Sequence, residues 1–149
     1  HEQLGGKTGR RVLTYENAGT RGKALEEYRK YAGAVLIASS FDRGVDLKDE
    51  DCRVIVVVKM PYPSLGDEQV SRRVKSTGGE LWYQVQTVRT LIQMTGRGVR
   101  HKDDWCCTHI LDRQFWGNVY KKGKGLFPQW WVDAVSTELG PRELLKGMR

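Results

Sequence analysis

Two periodicities divide the apolar positions of this chain. Between Glu80 and Asp104, Leu81, Val85, Val88, Ile92 and Val99 recur at steps of three, four or seven, the spacing of the buried face of an amphipathic helix. Arg89, Gln93, Arg97 and Arg100 follow the same spacing on another face, so at ~100° per residue they project in one direction. Elsewhere the apolar residues come in short continuous runs, AVLIAS at Ala34 to Ser39 and RVIVVVK at Arg53 to Lys59. Such runs predict strands buried on both faces, as in a parallel sheet. A strand from Arg11 to Tyr15 precedes a helix over Gly22 to Tyr31, and Met60-Pro61-Tyr62-Pro63 ends the third strand. A further helix is expected from Asp67 to about Lys75. The Gly78-Gly79 break then leads into the long helix, and a last strand runs from Cys107 to Leu111. The pattern closes with a short helix over Gln129 to Thr137. Strands alternating with helices predict an α/β fold with a largely parallel sheet flanked by helices. Residues 1–10 read as a surface loop, 11–137 as the domain and 138–149 as a tail.

Composition narrows the class of partner. Twenty-five Lys plus Arg against 18 Asp plus Glu give a net charge of +7, which points to a polyanion, most simply nucleic acid. No apolar run approaches the ~20 residues of a membrane span. Cys52, Cys106 and Cys107 are odd in number and two are adjacent, so they form neither a disulfide framework nor a C-x-x-C metal site. Three ordinary thiols fit a reducing, intracellular compartment. His101 and His109 read as a helix-end cation and a strand residue, and no metal site is expected.

The arginine stripe carries the strongest chemical signal. Guanidinium groups bind phosphate in a planar, bidentate way and stay charged at any working pH, and Gln93 can both donate and accept. Gly96 and Gly98 each cost about 1 kcal/mol against Ala inside a helix, so either a helix end or a close backbone approach is expected there. The plainer reading is a solvated basic face at a helix C-terminus. After the second strand, Ser39-Ser40-Phe41-Asp42-Arg43-Gly44-Val45-Asp46-Leu47 occupies the place where parallel sheets collect ligands. There Gly44 permits close approach and Asp46 can accept from a ribose, a water or an arginine, although an ordinary Asx turn accounts for the same residues. Lys59, Tyr62, Arg72 and Arg73, in or near a strand-end loop, combine charge with an aromatic ring and are candidates for single-strand contact, although a packed Tyr62 and solvated arginines account for the same residues equally well. Trp82, Tyr83, Trp130 and Trp131 read as packing anchors, and Lys121 to Gly125 as a flexible basic loop. Gly6-Lys7-Thr8 is no Walker A loop, because a strand follows it where a helix is needed. Asp67-Glu68 reads as helix N-terminal charge and Asp49-Glu50-Asp51 as a turn.

FDRGVDL, at Phe41 to Leu47, resembles motif V of superfamily 2 helicases, and Gln93-Met94-Thr95-Gly96-Arg97-Gly98-Val99-Arg100 resembles motif VI, Q-x-x-G-R-x-x-R. The intervening VIVVVKMPYPS strand and proline loop, and the strand ending in Ile110-Leu111-Asp112, are most similar to the DinG and XPD type. The resemblance runs from about Val12 to Trp131 and implies the second RecA-like domain of a DNA helicase, incomplete at its N-terminus. By the resemblance, ATP with Mg binds mainly to a first RecA-like domain of the same polypeptide. Arg97 and Arg100 then act as arginine fingers with Gln93 beside them. Gly44, Asp46 and Gly96 couple nucleotide state to DNA contact, and Arg43 is a possible phosphate ligand near the single-stranded DNA. The iron–sulfur cluster of many relatives belongs to the other half of such enzymes. The alternative is a non-catalytic RecA-like module that binds nucleic acid through its basic face.

Overall fold

Four short strands and six α-helices occur along the residues described in the computed structural model, 2–15, 17–38, 47 and 49–136. They fall into two compact units: the first comprises residues 1–53 and 97–105, the second residues 54–96 and 106–149.

In the first unit the opening segment is a helix, α1 (Glu2–Thr8), and not the expected loop. It ends where Gly9 takes a left-handed φ of 64° and returns its N–H to Gly5 O at 2.9 Å, a glycine C-terminus of the common kind. Lys7 and Thr8 thus close a helix ahead of a strand, the reverse of a P-loop. Strand β1 (Val12–Thr14) pairs in parallel with β2 (Val35–Ile37), Val12 opposite Val35. The connecting α2 (Ala18–Lys30) starts four residues before the predicted Gly22. Asn17 accounts for the early start: its side chain accepts from the N–H groups of Gly19 and Thr20, while Thr20 reaches back to Asn17 N. This reciprocal cap offsets the cost of two glycines in the first turns. Tyr28 donates to Asp51 O at 2.8 Å, and Arg29 pairs with Asp51 at 2.9 Å. These contacts tie α2 to the short 3₁₀ turn over Asp49–Asp51.

In the second unit β3 (Val54–Val57) lies parallel to β4 (Cys107–Ile110), in the register Val54 to Cys107 through Val57 to Ile110. Burial along β3 alternates: Val57 is enclosed, but Val54, Val56 and Val58 are exposed, Val58 at 71%. The expected strand buried on both faces is therefore corrected to one covered on a single face, since only the Ile55 and Val57 side meets the helices. Helix α3 (Glu68–Val74) is capped by Asp67, whose carboxylate accepts from Gln69 N and Val70 N. Helix α4 (Gly79–Thr95) supplies the centre of the core through Thr87, Val88 and Leu91, the last fully buried. Around them pack Val57, Met60, Val119, Tyr120, Phe127 and Trp131. After β4, a π-helical turn over Phe115–Tyr120 runs into α5 (Lys121–Gly123) and a 3₁₀ turn, so the expected flexible basic loop is helical. Tyr120, Phe127 and Trp131 form a ring cluster beneath it, Phe127 and Trp131 stacked at 4.4 Å. The chain then enters α6 (Gln129–Asp133), whose Trp131 anchors as expected while Trp130 is exposed. Among the described residues no helix is long and apolar enough to cross a membrane.

Candidate functional site at the end of the long helix

Two predicted positions fail, Leu81 because it lies on the exposed first turn of α4 and Val99 because the helix ends before it. The apolar stripe was expected to run from Leu81 to Val99, but both ends are exposed, Leu81 at 58% and Val99 at 44%. Helix α4 stops at Thr95, and Gly96 caps it with its N–H directed to Ile92 O and Met94 O. A 3₁₀ turn over Gly96–Gly98 follows. Arg89 and Gln93 therefore lie exposed on the helix, whereas Arg97 sits in the tighter turn and Arg100 beyond it. The four residues do not form one helical stripe. A helix end explains Gly96 and Gly98, one of the two accounts their sequence allowed. Within the second unit, Trp131 Nε1 donates to Thr95 Oγ1 at 3.0 Å, which pins the last helical residue before Gly96.

In the first unit the chain after Gly96 is held by a buried carboxylate. Arg53 donates to Asp104 Oδ1 at 2.7 Å, Trp105 N to the same oxygen at 2.9 Å and Arg100 N to Oδ2 at 3.0 Å. Burial alone raises the Asp104 carboxyl, but the Arg53 hydrogen bond and the backbone N–H groups of Arg100, Asp49 and Trp105 outweigh it and hold it below its ordinary value. Arg53 also donates to Trp105 O and Glu50, and its guanidinium lies 4.9 Å above the Trp105 ring. The loop that carries Arg100 is thus fixed through its backbone, and the Arg100 side chain is exposed. Arg97 is half-buried, with its Nε shielded from solvent. Sequence reasoning missed Asp104 and Arg53 because no spacing rule connects residues 51 positions apart.

His101 lies beside two carboxylates. Its Nε2 lies 2.9 Å from Asp49 Oδ1, and Asp104 completes a group whose ligand atoms lie within 4.8 Å of one another. Divalent cations need free carboxylate lone pairs, and here Asp104 spends both oxygens on Arg53 and backbone donors. The group is a hydrogen-bonded turn in which Asp49 adopts φ 51°.

The strand-end residues belong to the second unit. Lys59 is exposed. Tyr62 stacks on Tyr83 at 5.7 Å and is half-buried, and burial raises its hydroxyl. Tyr83 in turn donates to Pro63 O at 3.0 Å. The loop is tied down by Asp112, which accepts from Met60 N at 2.7 Å and Gln114 N at 2.9 Å. Those two bonds, aided by Lys59, hold its carboxyl below the usual range. Arg72 and Arg73 end α3 beside Trp82 of α4, where an open groove of about 590 Å³ is lined by Gln69, Val70, Arg72, Arg73 and Trp82. Arg43, Gly44 and Asp46 lie outside the described residues.

Parallel strands flanked by helices, with an arginine-bearing turn closing the longest helix, define a mixed α/β domain of RecA-like kind. The chain belongs to the helicase C-terminal domain family, whose model matches residues 2–134. It is 33% identical over 107 residues to a Fanconi anemia group J protein homolog of Gallus gallus, covering 63% of this chain and 8% of that protein. It is 30% identical over 122 residues to a Caenorhabditis elegans regulator of telomere elongation helicase 1 homolog, covering 70% and 12%. An ATP-dependent DNA helicase of Kluyveromyces lactis is 25% identical over 134 residues, 77% of this chain and 16% of that protein. The chain thus spans a small part of the length of each relative.

Proposed function

We propose that this chain is the second RecA-like motor domain of an ATP-dependent DNA helicase and that it works against a first RecA-like domain of the same polypeptide. The observation that carries the reading is the Gln93 to Arg100 motif at the end of the long helix, within a match to the helicase C-terminal family over residues 2–134. The relatives named as helicases support it. In this reading ATP with Mg is held mainly by the first domain. Arg97 and Arg100 approach the γ-phosphate, where their fixed positive charge stabilises the charge that builds in the transition state. Gln93 orients water or relays the state of the cleft. Gly44, Asp46 and Gly96 link that state to DNA, which Arg43, Lys59, Tyr62, Arg72 and Arg73 contact as a single strand.

Local backbone contacts support this reading for the two arginines. Arg100 leaves a loop clamped by Asp104, so its guanidinium is delivered from a fixed base, which is what preorganised electrostatic catalysis requires. Arg97 follows two residues after Thr95, the last residue of α4. The test is Arg100→Ala in the full-length polypeptide, with ATP affinity and turnover measured separately. Affinity within a few-fold of wild type and turnover reduced by about 10³ or more supports the reading, as removing an arginine finger does. Unchanged turnover removes Arg100 from the chemistry.

A further inference from the structure

The groove between α3 and α4 combines features that single-strand binding uses elsewhere. Trp82, half-buried in its wall, has the Arg73 guanidinium 4.8 Å above its ring. At about 590 Å³ the groove falls within the range of about 300–1,000 Å³ typical of small-ligand pockets. Gln69 adds an exposed amide at the rim, able to donate and accept. Arg72 makes an exposed pair with Glu68 at 2.6 Å, and such pairs contribute little.

The walls are set by the turn between the helices. Ser76 N and Ser76 Oγ both donate to Arg73 O, Gly79 N donates to Ser76 O and Trp82 N to Gly78 O. Gly78 has φ 74°, and a side chain on Gly79 would run into the carbonyls of Arg73 and Val74. The turn that carries Arg73 and Trp82 is thus held by its own hydrogen bonds and needs little ordering when a ligand arrives, and preorganisation lowers the cost of binding.

We propose that this groove is a base-stacking pocket for single-stranded nucleic acid, with Trp82 as the platform and Arg73 and Arg72 as its phosphate ligands. The proposal rests on the reading of this chain as a DNA motor domain and assigns Trp82 a role beyond packing. A flat cation already occupies the indole face. An incoming base takes that place and the Arg73 guanidinium swings to the adjacent phosphate, which exchanges an exposed cation–π contact for the stronger base–indole stack. Tyr62 and Tyr83 stack on each other at 5.7 Å, and Trp82 is the aromatic ring lining this groove.

The experiment is equilibrium binding of the full-length protein to a labelled oligo-dT and to an abasic oligomer of the same length and charge. Trp82→Leu is expected to weaken oligo-dT about tenfold, the worth of one stacked base, and to leave the abasic oligomer unchanged. Trp82→Phe is expected to restore most of the loss. Arg72→Ala is expected to weaken both oligomers and to lower the salt slope by about one. Equal losses for both oligomers in Trp82→Leu, or no loss for either, overturn the pocket, as they would if the groove received a protein segment instead. A measurement that needs no variant is photocrosslinking from 5-iodouracil in the oligomer. Adducts on Trp82 support the proposal, and adducts confined to other peptides overturn it. ATP turnover is read on the same preparations. Absent turnover with a persistent Trp82-dependent preference for bases removes the motor reading and leaves the pocket standing, whereas stimulated turnover without that preference does the reverse.

Discussion

Replacing Gly79 by alanine sets two physical effects against each other. Gly79 is the first residue of α4, and propensity alone makes Gly→Ala in a helix favourable by up to about 1 kcal/mol. An added Cβ, however, would overlap the main-chain oxygens of Arg73 and Val74. Those are backbone atoms, and Arg73 O is already held by Ser76 N and Oγ, so they cannot swing aside as a flexible side chain would. Overpacking costs about 1–3 kcal/mol, and a rigid obstacle places this site at the upper end. With about 3 kcal/mol of strain and about 1 kcal/mol of propensity gain, the net expectation is about 2 kcal/mol of destabilisation. For a chain of this size that corresponds to a fall in Tm of about 4–8 °C. Urea unfolding followed by tryptophan fluorescence measures it, with Gly78→Ala and Gly96→Ala beside it. Gly78 has open space but φ 74°, so its alanine costs about 1–2 kcal/mol through the left-handed backbone alone. Gly96 has neither constraint, with φ −77° and no atom within 4 Å of the added Cβ. The expected order of stability is therefore Gly96→Ala, then Gly78→Ala, then Gly79→Ala. A neutral or stabilised Gly79→Ala protein would refute the steric reasoning and the rigid α3–α4 turn with it.

The remaining predictions concern the core, the strand-end clamp and the helix end. Leu91→Ala empties a fully buried site and is expected to cost about 2–5 kcal/mol, read as a shift in urea midpoint at constant slope. The Asp112 carboxyl, lowered chiefly by its bonds from Met60 N and Gln114 N, contributes stability that is present above the unfolded value of about 3.9 and lost as pH falls through the folded value. The stability gap between wild type and Asp112→Asn should accordingly be constant near neutral pH and shrink below about pH 4, measured by unfolding across an acid series; a gap independent of pH contradicts the clamp. Gly96→Ala should leave stability unchanged or slightly raised while lowering ATP turnover in the full-length protein, since among the described residues nothing lies within 4 Å of the added Cβ. Full turnover in that variant removes Gly96 from the coupling residues.

Element order could be read from the sequence because it rests on local signals. Continuous β-branched runs marked β2 and β3, the acidic Asp67-Glu68 marked the start of α3, and the glycine pair marked the break before α4. Ends were less legible, because angular spacing continues past a cap: the stripe to Val99 kept its period although the backbone left the helix at Thr95. Asn17 moved α2 forward for the same reason, a single capping side chain outweighing two poor helix formers. Exposure was the least legible property. Val54, Val56 and Val58 belong to a run as apolar as any core strand, yet one face of β3 remains uncovered. In the site, the motif residues stood out by type and spacing. The groups that hold their backbone did not: Arg53 with Asp104, Met60 with Asp112 and Thr95 with Trp131 are pairings of tertiary structure, 51, 52 and 36 positions apart.

The central claim is that Arg97 and Arg100 serve ATP hydrolysis coupled to single-stranded DNA. Steady-state ATPase of the full-length polypeptide, with and without single-stranded DNA, wild type beside Arg97→Ala, tests it most directly. DNA-stimulated turnover in the wild type that collapses by about 10³ or more in Arg97→Ala, with ATP binding retained, is the result this account predicts. Turnover in Arg97→Ala near the wild-type value, or a wild type that binds DNA in a salt-sensitive way without hydrolysing ATP, would contradict it and leave a basic nucleic-acid-binding module.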